Sequence, residues 1–557
     1  MPDDEDVFDV VVVGSGAAGM TAALFAAHRG CRTVVIEKAE VFGGSTARSG
    51  GGLWLPGNEV LSRAGVSDTA EAARTYLARV AGEDVSEARQ RALLEHGPAM
   101  LSFVRASTPL EFAWVRGYAD YYPEAPGGLP GGRTIEPVPL DGRKLGDELG
   151  RLAPPYLSAP GGMAVTGADY RWLSLGTRHP RAFLTGARLG TVGFLSRTLG
   201  RRMLSMGQAL AAGLRIGLRD AGVPVWLGTP MVDLSIEDGR VTGVEIERAG
   251  RKHRLRARRG VLLAAGGFEW NAAMRERYQR APTGTSWTLG APGNTGDGIT
   301  VGHRAGGALD LMDDAWWGPA IPLPKVSYFC LAERNLPGCL LVNGAGRRFV
   351  NESAPYVDAV HAMYDNHTAA DPHIPAWLIT DRTYRERYLF AGRGPRQPLP
   401  RSWYETGAAH RAPALAALAE EIGVDSAGLA ATVGRFNEFA RTGRDEDFRR
   451  GESAYDRYYG DPRQRPNPCL GPLLKPPFYA FQIVPGDLGT KGGLRTDERA
   501  RVVRDDGTAI PGLYAAGNTS AAVMGRSYAG AGATIGPAMT FGYLAALDLA
   551  AVTSPAN

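Results

Sequence analysis

The chain has little cysteine, and what it has follows no metal-binding pattern. Only four of its 557 residues are cysteine, and they are far apart: Cys31, Cys330, Cys339 and Cys469. Neither paired metal-ligand spacing nor a haem-attachment motif occurs among them. So few cysteines argue against a disulfide-stapled secreted fold. We expect reduced thiols in a cytoplasmic protein and no metal site.

Long apolar runs are also missing. Residues 10–27 are hydrophobic, but three glycines, Ser15 and Thr21 interrupt them, whereas a membrane-spanning helix needs about 20 predominantly apolar residues. The N-terminus reads MPDDEDVFDV, and it lacks the basic start of a secretory signal. We expect neither a transmembrane span nor a secreted protein.

Charge of one sign does not dominate. The 62 Lys and Arg residues nearly balance the 58 Asp and Glu residues, which leaves a net charge of +4. That surplus is too small to indicate nucleic-acid binding. With 44% hydrophobic residues, 74 glycines and 38 prolines, the composition indicates a globular, turn-rich enzyme. Its length exceeds what a single core usually supports, so we expect two domains.

A glycine motif near the N-terminus indicates a dinucleotide site. Residues 11–19 read VVVGSGAAG, which predicts a strand, a tight turn and a helix. Gly14 suits the turn, Gly16 lets the backbone approach a pyrophosphate, and Gly19 lets the helix pack on the strand. The phosphates would lie at the helix N-terminus. Glu37, at the end of the next strand, is placed to accept a hydrogen bond from a ribose hydroxyl.

Two further segments distinguish FAD from a nicotinamide cofactor. GLYAAGN, at residues 512–518, follows a predicted hairpin, and VLLAAGG occupies residues 261–267. A nicotinamide enzyme needs only the N-terminal unit, whereas FAD-binding Rossmann proteins add these two pieces. We therefore predict an α/β fold whose discontinuous Rossmann-like domain binds FAD.

A glycine-rich loop completes the predicted cofactor site. Residues 41–58 read VFGGSTARSGGGLWLPGN, and their N–H groups and hydroxyls can contact phosphate and the flavin ring. The loop has no histidine that could bond to the ring, so we predict non-covalent FAD. The residues predicted to bind the cofactor are Gly14, Ser15, Gly16, Ala17, Ala18, Gly19, Glu37, Lys38, Gly43, Gly44, Ser45, Thr46, Ser49, Gly50, Gly51, Gly52, Ala265, Gly266, Gly296, Asp297, Gly517, Asn518, Gly532, Ala533 and Ile535.

The composition changes midway through the chain. Residues 222–265 alternate as strands of a β meander, whereas prolines, aromatics and short runs dominate from about residue 316 to the segment GDLGTKGGL. We predict that the FAD-binding domain comprises residues 1–314 and 490–557. An α+β catalytic domain, residues 315–489, would be inserted between these two parts.

Arginines interleaved with apolar residues mark residues 170–202. Two interpretations stay open, a solvated helical face and a surface that rests on anionic lipid as a peripheral membrane contact. The arginines are Arg171, Arg178, Arg181, Arg188, Arg197, Arg201 and Arg202.

Motifs along the whole chain resemble a known family. The N-terminal motif with FGGSTARSGGG is similar to the fumarate reductase-like flavoproteins. GNTSAAVMGRSYAGAGATIGPAMTFGYLAAL, together with GRTIEP, HPRAF, LMDDAWWGP, RFVNESAPY and DLGTKGGLRTD, resembles the 3-ketosteroid Δ1-dehydrogenases. The resemblance implies that a double bond is introduced between carbons 1 and 2 of a 3-ketosteroid. Two electrons would pass to FAD and then to an external acceptor, a quinone or a carrier.

The resemblance also implies catalytic residues. Tyr528, in RSYAGAG, would donate its hydroxyl to the ketone oxygen, and the backbone N–H of Gly532 would be the second donor of an oxyanion hole. Tyr356, in NESAPY, matches the base that removes the proton from carbon 2. Tyr121, in ADYYP, matches the tyrosine that hydrogen-bonds this base. The hydride from carbon 1 would go to flavin N5.

Several assignments stay open at this stage. A phenol has a pKa of about 10, so Tyr356 needs a hydrogen bond from Tyr121 to favour its phenolate. Tyr122 and Tyr364 are the neighbouring alternatives. Trp316 and Trp317 line the cavity or belong to the core at the domain junction. Family members often carry proline where this chain has Ala529, which predicts a looser loop.

Other functions compete with the steroid interpretation. A fumarate reductase-like enzyme would need arginines for two carboxylates, and Arg526 is the one tempting candidate. The related dehydrogenation at carbons 4 and 5 of a saturated 3-ketosteroid is a second alternative. A third is a flavin-binding electron carrier without catalysis. The tyrosines and tryptophans favour an apolar substrate.

Overall fold

The structure is a computed structural model that describes residues 6–157, 159 and 162–551. The first five residues, which belong to the acidic start that argues against a secretory signal, lie outside the described residues. The predicted strand, turn and helix of the glycine motif are present, as the first strand, β1, and the first helix, α1.

A largely parallel sheet forms the first layer. Within the described residues its order is β20-β21-β11-β1-β2-β8, and β9 and β10 extend it as an antiparallel meander from β11. Strand β1 is parallel to both neighbours and rich in valine, because helices cover both faces of such a sheet. The strands are β1 Asp6–Val13, β2 Thr33–Ile36, β8 Val225–Trp226, β9 Met231–Glu237, β10 Arg240–Arg248, β11 Arg251–Leu263, β20 Arg501–Val503 and β21 Ala509–Ala515.

Small residues bring the covering helices close together. Helix α1 (Ala17–His28) is buried over most of its length and packs against α8 (Met206–Asp220) and α17 (Ile535–Ala551). A Cβ at Gly542 would lie 2.3 Å from the carbonyl oxygen of Ala18, so only glycine permits this contact between the first and last helices. The two ends of the chain therefore form one domain, which confirms the discontinuous Rossmann-like fold.

The second layer is a mixed sheet built from the middle of the chain. Its order within the described residues is β14-β13-β18-β16-β15, with β17 also paired to β18. All of its strands fall between residues 315 and 490, although the domain limits themselves stay predictions. The strands are β13 Ala315–Ile321, β14 Tyr328–Phe329, β15 Cys339–Val342, β16 Ala376–Thr380, β17 Ala409–Ala412 and β18 Phe478–Thr490.

Short strands and the remaining helices surround the two large sheets. The minor sheets pair β3 with β5 and β5 with β4, β6 with β7, and β12 with β19. These strands are β3 Leu53–Trp54, β4 Phe112–Trp114, β5 Thr134–Pro137, β6 Leu140–Asp141, β7 Met203–Leu204, β12 Leu309–Asp310 and β19 Gly493–Leu494. The other helices are α2 Gly44–Arg48, α3 Glu59–Arg63, α4 Ala70–Ala81, α5 Glu87–Ser107, α6 Gly167–Leu173, α7 Pro180–Thr198, α9 Ala272–Tyr278, α10 Asp297–Arg304, α11 Tyr356–Asn366, α12 Arg382–Arg387, α13 Arg401–Glu405, α14 Leu415–Ile422, α15 Ser426–Thr442 and α16 Ala454–Tyr458.

The apolar core is continuous across the junction of the layers. The cluster that contains α1 and β1 also includes Tyr356, Trp316 and Ala332 from the middle of the chain. The cluster under the second sheet includes Ala182 of α7, and Trp172 of α6 packs against it, so both helices pack on the inserted part although they precede residue 314. The junction is where an open α/β sheet commonly binds its ligands.

Candidate active site

The glycine turn after β1 brings three segments together. Gly14 has φ +107°, and a Cβ there would lie 2.2 Å from the carbonyl oxygen of Ala264. A Cβ at Gly19 would lie 2.1 Å from the carbonyl oxygen of Gly14. Gly16, by contrast, has an ordinary extended backbone and no crowding. The first two glycines are required by packing, and Gly16 leaves space beside the helix start.

The N-terminus of α1 is suited to a phosphate. Gly16 contributes no side-chain cap, and the N–H of Ala17 donates to Thr46 Oγ1 at 2.9 Å. The first-turn N–H groups and the helix dipole favour an anion at this position. Ser15 and Thr46 thus border the same helix start, as the sequence predicts.

Glu37 lies at the end of β2 and fixes the glycine turn. One carboxylate oxygen accepts from the Ser15 backbone N–H at 3.0 Å and from its hydroxyl at 2.7 Å, and the other accepts from Ala39 N–H at 3.0 Å. A carboxylate has about four acceptor sites, so capacity remains for a ribose hydroxyl. Glu37 therefore holds the glycine turn, and its contact with a ribose hydroxyl stays a prediction.

A second loop, residues 294–297, completes the side of the cleft near Lys38. Lys38 Nζ donates to Thr295 Oγ1 and Asp297 Oδ2, each at 2.6 Å. Asn294 Nδ2 donates to Ser45 Oγ at 3.0 Å. Gly296 precedes α10 in the left-handed conformation. The structure thus brings together the predicted residues Lys38, Ser45 and Asp297. Asn294 and Thr295 lie beside them but were not predicted from the sequence, although the motif GNTGDGI contains both.

The loop at residues 43–52 approaches the start of α17. A Cβ at Gly532, φ +92°, would lie 2.4 Å from the carbonyl carbon of Gly52, and a Cβ at Gly51, φ +70°, would lie 2.4 Å from that of Met206. Gly44 and Gly50 face open space. Ser49 instead donates its hydroxyl to the carbonyl of Thr46 at 2.7 Å, so it stabilises α2. The remaining predicted cofactor residues of the loop and of the segments that meet it are Ala18, Gly43, Ala265, Gly266, Gly517, Asn518, Ala533 and Ile535.

These features fit FAD. A helix start that Gly16 does not cap, an acid at the end of β2 and uncrowded glycines at positions 44 and 50 lie in the segments that meet here. The N-terminus of α17, at Ile535, adds a second positive helix end. Bulkier residues at the open glycines would fill this cleft, which explains their abundance.

Glu269 is a buried acid in this cleft that the sequence reasoning missed. It accepts from Asn294 Nδ2 at 2.6 Å, and burial with the nearby charge of Asp487 raises its pKa to about 7. It lies two residues after the glycine pair at 266–267. An acid within an otherwise apolar run, GGFEW, was the available signal.

Three tyrosines meet beside this cleft. The ring of Tyr121 stacks on that of Tyr528, with centroids 5.2 Å apart, and Tyr356 meets each of them at 5.4 Å in an edge-to-face arrangement. All three rings are buried. The structure therefore brings together the tyrosines that the resemblance named, with Gly532 in the segment that follows Tyr528.

Each tyrosine lies on a rigid support. Tyr356 is the first residue of α11, directly after Pro355. The N–H of Tyr121 donates to the carbonyl of Ala529 at 3.0 Å, and the Tyr76 hydroxyl donates to the same carbonyl at 2.6 Å. Two hydrogen bonds thus hold the carbonyl of Ala529, and the residue is fully buried; the looser loop expected at this position stays a prediction.

The tyrosine hydroxyls differ in their surroundings. Burial raises the pKa of Tyr528, while hydrogen bonds with Thr534, with Tyr356 and with the N–H of Gly532 lower it. The hydroxyl of Tyr528 lies 2.9 Å from Thr534 Oγ1. Tyr528 and the Gly532 N–H thus share one neighbourhood, as two donors to a single oxygen must.

The phenol of Tyr356 is more strongly perturbed. Burial, with repulsion from Tyr528, raises the pKa of Tyr356 well above its ordinary value, and a hydrogen bond with Tyr121 lowers it. Burial also raises the pKa of Tyr121 well above its ordinary value. Tyr121 therefore keeps its proton and can donate to Tyr356. The helix dipole of α11 favours negative charge at its first residue.

The alternative residues lie elsewhere. The Tyr122 hydroxyl donates to Asp358 at 2.8 Å, and the Tyr364 hydroxyl donates to the carbonyl of Pro282 at 3.0 Å. Trp316 packs edge-to-face on Tyr528 at 5.1 Å, whereas Trp317 packs on Tyr364 in the core of the inserted part. Trp317 thus belongs to the core of the inserted part, whereas Trp316 contacts Tyr528 and is also buried in the core at the junction.

Arg526 does not enter the tyrosine cluster. Its guanidinium is half-exposed and pairs with the carboxylate of Asp313 at 2.9 Å. A site for two carboxylates needs arginines that face it. Three aromatic neighbours of the cluster were not predicted from the sequence: Tyr118, Tyr455 and Phe329, which contact Tyr121 or Tyr356. The tyrosine-rich runs GYADYY and YDRYY were the available signals for the first two.

Comparisons with known proteins agree with this arrangement. Residues 9–535 match the FAD binding domain family. The chain is 56% identical over 552 residues to a 3-oxosteroid 1-dehydrogenase of Mycobacterium tuberculosis and 55% identical over 556 residues to one of Mycolicibacterium smegmatis, and each alignment covers 98% of both chains. A crystal structure of 3-ketosteroid Δ1-dehydrogenase from Sterolibacterium denitrificans, in complex with 1,4-androstadiene-3,17-dione, is similar with a TM-score of 0.93 and 42% identity, and the match covers 98% of this chain and 100% of that one.

Proposed function

Because this chain belongs to the 3-oxosteroid 1-dehydrogenases within the FAD binding domain family, we propose that it introduces a double bond between carbons 1 and 2 of 3-ketosteroids. Carbon 2 loses a proton, carbon 1 loses a hydride, and the electron pair of the broken C2–H bond forms the new double bond. The observation that carries this proposal is the triangle of Tyr121, Tyr356 and Tyr528 beside the glycine cleft.

Tyr528 and Gly532 polarise the ketone. The Tyr528 hydroxyl and the Gly532 N–H donate to the ketone oxygen, where negative charge grows as carbon 2 loses its proton. Donors fixed in a buried site stabilise such charge more than water does. The position of the Tyr528 hydroxyl, 2.9 Å from Thr534 Oγ1, supports this orientation.

Tyr356 removes the proton from carbon 2. Its phenolate is stabilised by the hydroxyl of Tyr121 and by the N-terminus of α11. A phenol with a high pKa gives a strongly basic phenolate once it is ionised. The free-energy cost therefore lies in the ionisation of Tyr356 and not in the proton transfer itself. Tyr121 holds the charge in place, and the surrounding rings bind the flat, apolar steroid.

FAD, when bound, supplies the acceptor for the hydride. Glu37 and the start of α1 would hold its adenosine ribose and phosphates, and the glycines of residues 43–52 with the start of α17 would hold the rest. We propose that the attachment is non-covalent, since the glycine loop has no histidine. The reduced protein would pass its electrons to an external acceptor, a quinone or a carrier.

The competing activities predict different outcomes in one experiment. The parent protein is mixed anaerobically with a 4-ene-3-ketosteroid and, separately, with the ring-saturated 3-ketosteroid. Bleaching of the flavin supports the proposal if the 4-ene-3-ketosteroid gives a 1,4-diene and the ring-saturated steroid gives a 1-ene. A 4-ene product from the saturated steroid alone would indicate the 4(5)-dehydrogenase. Bleaching only by dithionite, with reoxidation by fumarate, would indicate the dicarboxylate enzyme.

We also propose that α7 rests on an anionic membrane surface. The exposed fractions of Phe183 and Phe194 are 78% and 67%, and both lie on one side of α7, away from buried Ala182 and Leu189. Arginines lie on and directly after this helix: Arg181, Arg188, Arg197, Arg201 and Arg202. An apolar face bordered by cations suits the lipid interface, where the apolar substrate also concentrates. No helix of the described residues has the length and apolarity needed to span a bilayer.

Vesicle sedimentation tests the membrane contact. We expect the parent to bind vesicles that contain anionic lipid, to bind neutral vesicles less, and to lose binding when Phe183 and Phe194 are replaced by serine. Leu474→Ser, at an equally exposed apolar position on the surface (65%), is the matched control and should bind normally. Equal binding by both variants would refute the contact.

We propose a cytoplasmic location, which suits four buried free thiols.

A further inference from the structure

Lys491 is a fully buried cation with no place in the chemistry described above. Its side chain has no exposed surface. It lies directly after β18, in the segment DLGTKGGLRTD. A buried charge costs free energy unless its hydrogen bonds are satisfied, so its retention here calls for a specific task.

Lys491 satisfies its three N–H donors with three acceptors. Its Nζ lies 2.6 Å from the carbonyl oxygen of Arg526, 3.1 Å from that of Ser527 and 3.1 Å from Asp314 Oδ2. An ammonium group has three donors and no acceptor, so the set is complete. Two of the three acceptors belong to the residues that directly precede Tyr528.

The counter-ion of Lys491 is itself fixed. Asp314 Oδ1 accepts from Trp317 Nε1 at 2.6 Å and lies 2.9 Å from His361 Nε2. Burial opposes its ionisation, but the ammonium of Lys491 and the contact with His361 lower the pKa of Asp314 to about 2. The carboxylate is therefore charged at neutral pH, and its contacts with Trp317 and His361 connect Lys491 to the inserted part of the chain.

A shared aromatic wall joins Lys491 to Tyr528. The ammonium lies 5.1 Å from the centre of the Trp316 ring, and the same ring packs edge-to-face on Tyr528 at 5.1 Å. Trp316 Nε1 donates to Asn518 Oδ1 at 3.0 Å. Lys491 thus contacts two supports of Tyr528: the backbone directly before Tyr528 and the Trp316 ring that packs on Tyr528.

We propose that Lys491 is a positioning residue that aims the Tyr528 hydroxyl at the substrate carbonyl. It holds the carbonyl groups of residues 526 and 527 against the Asp314 carboxylate and so fixes the turn from which Tyr528 projects. The inference rests on the proposed function, because it assigns Lys491 to the oxyanion hole of that reaction.

A double-mutant cycle tests the proposal. Lys491→Met, Tyr528→Phe and the double variant are compared for kcat and for the affinity of the oxidised holoenzyme for a 1,4-diene-3-ketone product. If Lys491 acts through the Tyr528 hydroxyl, Lys491→Met lowers both values about 10-fold or more in the parent but less than about 2-fold once the hydroxyl is gone, because residues that act as one unit are not additive. Equal losses in both backgrounds overturn the proposal.

Two further variants keep the result interpretable. Lys491→Met leaves Asp314 buried and unpaired, which can prevent folding; the cycle is then run with Asp314→Asn/Lys491→Met, which removes both charges. Lys252→Met, the same change at an exposed lysine, is the matched control and should match the parent.

A parent that neither turns over 3-ketosteroids nor binds the product refutes the proposed function and this inference together. An active parent with additive losses refutes this inference alone.

Discussion

Tyr121 and Tyr528 stack with their ring centroids 5.2 Å apart and their planes 19° apart, although one lies in the first quarter of the chain and the other near its end. The backbone N–H of Tyr121 also donates to the carbonyl of Ala529. Tyr121, the partner of the proposed base, and Tyr528, the proposed donor to the ketone, thus pack as one unit. Tyr356 of α11 contacts both rings. A change in one hydroxyl should therefore leave the others in place.

Tyr356→Phe should abolish proton removal while leaving steroid binding nearly unchanged, because the variant keeps the ring and loses the base. A general base contributes about 10²–10⁴-fold, so kcat should fall by that factor. The measurement is deuterium washout at carbon 2 under anaerobic conditions. Tyr364→Phe, on the same helix, is the control and should exchange normally. If Tyr356→Phe exchanges as fast as the parent, another residue is the base.

Tyr528→Phe should slow turnover by about 10²–10³-fold, the effect of removing one oxyanion-hole donor. Its flavin spectrum and thermal unfolding should match those of the parent. The loss should appear in kcat and kcat/KM together, since the donor acts most in the transition state. Unchanged kcat with a raised KM would assign Tyr528 to substrate binding only. Gly532→Ala is unsuitable for this purpose, because its Cβ would collide with Gly52.

Turnover should rise with pH through the neutral range and into the alkaline range. Burial raises the pKa of Tyr356 well above its ordinary value, so its phenolate is scarce at neutral pH and grows as the pH increases. The measurement is the pH profile of kcat for carbon-2 exchange in the parent. In Tyr356→Phe the residual rate should lose this rise. A parent profile that is flat between neutral and alkaline pH would contradict a tyrosine base.

Glu37→Ala should weaken FAD binding more than it changes the chemistry. The carboxylate lies at the predicted ribose position and also holds Ser15 through two hydrogen bonds. The variant therefore loses a contact with the cofactor and a support of the glycine turn, while the tyrosines are unaffected. FAD affinity is measured by titration of the apoprotein, and turnover is measured at saturating FAD. Glu40→Ala, at an exposed acid close by, is the control. Full FAD occupancy with lost turnover would refute the assignment.

Acid precipitation should release all of the flavin. The glycine loop that borders the cleft has no histidine, and the described residues place Gly44 and Gly50 there with open space around them. The supernatant should be yellow and the pellet colourless. Colour that stays in the pellet after washing would demonstrate a covalent bond.

The sequence by itself determined the nucleotide-binding unit. The valines of β1, the glycines at 14 and 19 and the acid at 37 are local signals, because strand, turn and helix are contiguous and each residue type has a single steric or electrostatic reason to be there. The sequence also separated the two ends of the chain from its middle. It identified Tyr121, Tyr356 and Tyr528 only through resemblance, since tyrosines carry no local signature of their role.

Tertiary structure alone decided which side chains meet. Tyr121 rather than Tyr122 faces the cluster, because the Tyr122 hydroxyl donates to Asp358 of α11. Trp316 and Trp317 separate because consecutive strand residues point to opposite faces. Ala529 forms a held loop because Tyr76 and Tyr121 donate to its carbonyl. Each outcome depends on partners far away in sequence, and a linear pattern cannot encode which distant groups satisfy a buried donor or acceptor.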